Sequence, residues 1–122
     1  MKRDWDMIRD ILSKTEECTV NTDSVRLSDF PDSDAASASY HVALLIDAGL
    51  IDGQVANTLG PGVKDFFAQR LTWEGHEFLD SIRSDTVWNK TKKLFADEGL
   101  SMTVDLVKGA AKKIAAAMIS AA

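Results

Sequence analysis

Apolar side chains recur with a helical period along most of this chain and lose that period in two places. Over residues 4 to 16, Trp5, Ile8, Ile11 and Leu12 fall at three- and four-residue steps, predicting a first helix with one buried and one charged face. Over residues 19 to 32 the period breaks. Val20, Val25 and Leu27 stand among Thr, Asn, Ser and Asp, the pattern of a loop with one short strand, ended by Pro31. Ser33 or Asp34 is placed to cap a second helix reaching Ala48, with Ala38, Val42, Leu45 and Ile46 inward and Gly49 as its stop. Two runs of strand character follow, residues 51 to 57 and 66 to 72, joined by a Gly- and Pro-containing hairpin loop over residues 58 to 65.

The helical period then resumes. Thr72 is placed to cap a third helix in which Gly75, Phe78, Leu79 and Ile82 repeat on one face, and Glu74 in its first turn suits the helix dipole. Ser84-Asp85 either kinks this helix or opens a fourth, whose Val87, Trp88, Thr91, Leu94 and Phe95 mark a buried stripe before Gly99. Ser101 can cap a last helix carrying Leu100, Val104, Val107, Ala111, Ile114 and Met118 at alternating steps of four and three, a narrow packing seam. The expected fold is α+β and mainly helical, with a small antiparallel sheet and additional C-terminal helices. Residues 1 to 98 are expected to form the main domain, and residues 99 to 122 an amphipathic helix packed on it or on a partner.

Composition narrows what such a fold does. The 122 residues carry a net charge of −5, which opposes sequence-independent attraction to phosphate backbones. Cys18 is the only cysteine, so neither an intrachain disulfide nor a cysteine zinc cage is available. No apolar run reaches the ~20 residues of a membrane span, and Asp4, Trp5 and Asp6 stand where a signal peptide would be apolar. The chain is read as cytoplasmic. Charge is also uneven: residues 1 to 50 hold five Lys or Arg against ten Asp or Glu, whereas residues 84 to 122 hold six against four.

The stretch from Tyr40-His41 to Gly49-Leu50-Ile51, then a hairpin, then Leu71-Thr72-Trp73-Glu74-Gly75-His76 resembles the body of winged helix-turn-helix proteins. With Met1-Lys2-Arg3-Asp4, Arg70 to Asp80 and Val87-Trp88-Asn89-Lys90, it is similar to a family of short bacterial and prophage-borne proteins classed as a domain of unknown function. That family is close in build to YjcQ-like winged-helix proteins. The resemblance covers most of residues 1 to 98 and implies a fold and a bacterial or prophage setting, but no catalytic residue.

On that fold the second helix would turn Asp34, Ser37, Tyr40, His41 and Leu44 outward as recognition-helix contacts. None is an Arg, Lys, Asn or Gln, the side chains that read base edges best. The wing offers Asn57, Lys64, Gln69 and Arg70 for phosphates, diluted by Asp52 and Asp65. The seam of Val104, Val107, Ala111, Ile114 and Met118 could pack on the first helix or on a second copy, and Lys90, Lys92, Lys93, Lys108, Lys112 and Lys113 form a basic C-terminal end. His41 and His76 lack metal-ligand spacing, and Trp73, Trp88, Phe78 and Phe95 fit a core better than a platform for bases. No cofactor, metal or small-molecule ligand is implied. The expected role is a non-enzymatic protein-binding module. A DNA-binding regulator is the alternative, and a phage factor that blocks a host protein is a third reading.

Overall fold

The computed structural model describes residues 1–19, 23–56 and 62–121. Its elements are α1 (Trp5–Glu16), β1 (Val25–Arg26), two 3-10 turns (Leu27–Asp29 and Asp32–Asp34), α2 (Ala35–Asp47), β2 (Ile51–Val55), β3 (Phe66–Leu71), α3 (Trp73–Ile82), α4 (Asp85–Glu98) and α5 (Val104–Ala121). This is the mainly helical α+β architecture expected, with one small antiparallel sheet. Of the expected features, Val20, Asn57 and the loop residues 58 to 61 lie outside the described residues. Contacts group the chain into two compact units, Met1–His76 and Glu77–Ala122.

In the first unit, Asp4 caps α1 by accepting from the Met7 N–H (3.1 Å), and the helix buries Ile8, Ile11 and Leu12. Those side chains rest against α2 and β3. The sheet has the order β1-β3-β2, so the strand entered last lies in the middle. Val25 pairs with Ala68, Ile51 with Leu71 and Val55 with Phe66, and one irregularity falls between Asp52 and Gly53. The inward residues Val25, Phe66, Ala68, Leu71 and Ile51 alternate with exposed Phe67 and Gln69, as one half-buried sheet face requires. Phe30 meets Phe66 edge-on, centroids 6.1 Å apart.

The start of α2 differs from expectation. Asp34 occupies the cap position but its side chain makes no capping bond. The 3-10 turn supplies the continuity instead: the Asp34 N–H donates to the Pro31 carbonyl at 2.8 Å, and Asp34 already has near-helical dihedrals (φ −100°, ψ −2°). Gly49 ends α2 as foreseen, at φ 75°.

In the second unit, Ser84 caps α4 by accepting from the Val87 N–H (3.2 Å). Val87, Trp88, Thr91 and Phe95 of α4 are buried, as are Val107 and Ala111 of α5, and the two helices pack together. Thr91 is tolerated inside because its hydroxyl donates to the Val87 carbonyl (2.7 Å). Ser101 does not cap α5. Thr103, two residues on, accepts from the Leu106 N–H at 3.2 Å.

Candidate functional site

The expected recognition face on α2 divides in two. Tyr40 is partly exposed, Ser37 and Leu44 are half-buried, and His41 is completely buried. His41 is thus corrected from an outward contact to a structural one. Its Nε2 accepts from the Asp4 N–H at 2.7 Å and its Nδ1 donates to the Ser37 carbonyl at 2.7 Å, with the Ser37 hydroxyl 3.3 Å away. A backbone N–H can only donate, so this pairing fixes the Nδ1–H tautomer and commits both ring nitrogens. Tyr40 packs edge-on against the same ring, centroids 5.5 Å apart.

Of the cations expected to hold phosphates, Arg70 is ion-paired. Arg70, although 77% exposed, sets its Nε 2.8 Å from Asp52 Oδ2 across the β2–β3 pair. Arg26, on the same sheet, bonds Asp65 and stacks on exposed Phe67 at 4.0 Å from the ring centre. The Arg26 bond, with the Phe66 and Leu27 N–H groups, holds the Asp65 carboxyl below the usual carboxylate range. Lys64 is half-buried, and its carbonyl accepts from the Ser39 hydroxyl of α2 at 2.8 Å.

A residue expected inside is outside. Trp73, the first residue of α3, is 76% exposed. Its backbone is anchored. The Thr72 hydroxyl donates to the Gly49 carbonyl (2.5 Å) and accepts from the Gly75 N–H (3.0 Å), while the Thr72 N–H donates to the Leu50 carbonyl (3.1 Å). Gly75 is required there, because a Cβ would overlap the Leu50 carbonyl oxygen. The start of α3 is thereby clamped to the end of α2. Tyr40, Leu44 and Ala48 stand one helical turn apart on α2 and lead to this clamp. The signal was present in the sequence: Trp73 lies roughly 160° around the helix from the Gly75, Phe78, Leu79, Ile82 stripe.

The last helix is also divided. Val107 and Ala111 of the expected seam are buried within the chain, Val104 and Ile114 are half-buried, and Met118 is exposed. Leu94 and Leu100, expected on buried stripes, are exposed at 43% and 58%, and Leu106 at 55%. These three leucines border an apolar groove of about 360 Å³ between α4 and α5, which also takes in Asp105 and Lys113. Lys93 pairs with Asp97 (2.7 Å), and Lys92 lies over the Trp88 ring.

The remaining chemistry-bearing side chains are quiet. Burial, then Asp23 and Asp29, push the Cys18 thiol up, which keeps it protonated in a hollow of about 280 Å³ shared with Lys14 and Glu17. His76 Nδ1 stands 3.8 Å from Glu16 Oε2 of α1. Among the described residues no cluster of His, Cys, Asp and Glu could hold a metal ion, and no helix is long and apolar enough to cross a membrane.

Residues 2–101 match a family described as "Hypothetical protein (DUF2513)". A Haemophilus influenzae (strain Rd) protein described as "Uncharacterized protein" is 39% identical over 120 residues, covering 98% of this chain and 100% of that one. No solved structure matches significantly.

Proposed function

The chain belongs to the DUF2513 family, and from that premise we propose that it is a non-catalytic winged-helix module that binds another protein where α2 ends and α3 begins. The fold reading is supported by the β1-β3-β2 strand order and by α2 standing directly before the β2–β3 hairpin, the positions of recognition helix and wing. The non-catalytic reading is supported by commitments already made: both nitrogens of His41 serve the backbone, and the Cys18 thiol is held protonated. The setting is that of a bacterial or prophage-encoded protein, as the resemblance implies.

The single observation that carries the binding surface is Trp73. An indole left in water on a backbone-anchored helix start offers a large apolar face for association, and tryptophan is the residue type most enriched among interface hot spots. Tyr40 and Leu44 extend the surface along α2. The first unit carries seven Lys or Arg against thirteen Asp or Glu, so the partner is a protein with an apolar pocket rimmed by basic residues. DNA fits the same surface poorly. Its α2 face carries no cation, and the wing arginine is ion-paired.

The test is capture from lysate of the source cells, with and without nuclease treatment, on wild-type, Trp73→Ala and Lys64→Ala chains. A protein retained by wild type and Lys64→Ala but lost about tenfold or more on Trp73→Ala is the expected result. Retention indifferent to Trp73, or retention of nucleic acid that depends on Lys64, overturns the reading.

A further inference from the structure

The groove between α4 and α5 lies outside the surface just described, and its charges are arranged to receive a copy of themselves. Asp105 and Lys113 both border it, both are exposed, and neither has an ion-pair partner among the described residues. They stand four residues to either side of Gly109, about 12 Å apart along α5. We propose that this face is where a second copy of the chain docks, with the two α5 helices antiparallel and crossing at Gly109.

The argument is one of symmetry. A two-fold interface must be self-complementary, so every residue near the axis meets the residue related to it on the same patch. An axis through Gly109 brings Asp105 of each copy to Lys113 of the other, forming two reciprocal ion pairs from one acid and one base. Gly109 is the position that close crossing needs. A Cβ there would meet nothing within 4 Å in this chain, so intrachain packing gives no reason for a residue that weakens a helix interior. Leu94, Leu100 and Leu106 form the walls against which the incoming helix rests.

Size sets the strength. Two helices about 20 to 27 Å long and 10 Å wide present on the order of 500 Å² per copy, at the low end of specific interfaces. The dimer is therefore weak, with dissociation in the micromolar range or above. A partner protein's helix in the same groove would need its own acid and base at matching spacing, whereas the second copy carries both already.

Sedimentation of the full chain over a wide concentration range tests this. The expected result is a reversible monomer–dimer equilibrium that Lys113→Asp or Asp105→Lys each weakens about tenfold or more, because each reversal sets like charges opposite one another twice. The double reversal, Asp105→Lys with Lys113→Asp, restores the wild-type constant within about threefold. Both positions are exposed, and circular dichroism is the check that each variant folds. A chain that stays monomeric at every concentration overturns the proposal, as does a dimer that either single reversal leaves intact or the double reversal fails to rescue.

Discussion

At the scale of single residues the best-defined electrostatic unit is Arg26 with Asp65. Asp65 accepts from the Arg26 guanidinium and from the Phe66 and Leu27 N–H groups, so its charged form is the bonded form. Its folded value is thereby held below the usual carboxylate range, and Arg26 is held above its own usual range, first by the same bond. A lowered carboxylate contributes stability in full above its unfolded value and loses it as the pH falls through the folded one. Asp65→Asn is expected to unfold at lower urea concentration than wild type at pH 7, with the gap closing as the pH drops below about 4. A gap that stays constant to pH 2 would mean that the charge contributes nothing. This pair could not be read from the chain, because its partners lie 39 positions apart and meet only through the β1–β3 register. The same holds for Arg70, which looks free in a polar run and is taken by Asp52 one strand over.

At the scale of elements, what could be read was the apolar spacing of neighbours three or four residues apart. Each helix and the strand pair followed from apolar spacing, Gly49 and Gly99 stopped their helices and Thr72 capped α3, whereas Asp34 and Ser101 do not make the cap bonds expected of them. Failures occurred where a helix face was assigned without regard to its whole arc. His41 stands three residues after buried Ala38 and one before buried Val42, so its ring falls on the inner side of α2. There it joins two elements: the imidazole holds the Asp4 N–H, whose side chain in turn caps α1. Removing the ring leaves a cavity and two lost hydrogen bonds at a junction of α1 and α2. His41→Ala is expected to cost about 2 to 3 kcal/mol in urea unfolding. The amides of the first turn of α1 should exchange faster with solvent before the rest of that helix does. A loss below about 0.5 kcal/mol, with the α1 amides unchanged, would show that the tether is dispensable.

At the scale of the whole molecule, charge separates what the fold alone leaves open. A mainly helical α+β fold is compatible with binding DNA or protein, so the site has to decide. The first unit holds seven basic against thirteen acidic residues, and the second holds seven against six. The acidic excess lies on the unit with α2 and the hairpin, where a DNA reader would need the opposite sign. Counterion release supplies nearly all of non-specific DNA affinity, and it requires cations free to displace those counterions. Arg26 and Arg70 are both engaged with carboxylates, and Lys64 alone cannot offset the surrounding Asp residues. The chain is therefore expected not to retard random duplex DNA in a gel even at about 50 mM salt. Asp52→Asn with Asp65→Asn, which frees both arginines and removes two negative charges, is the variant in which retardation should first appear. Retardation by the wild-type chain that weakens steeply with salt and disappears on Lys64→Ala would place the function on DNA after all.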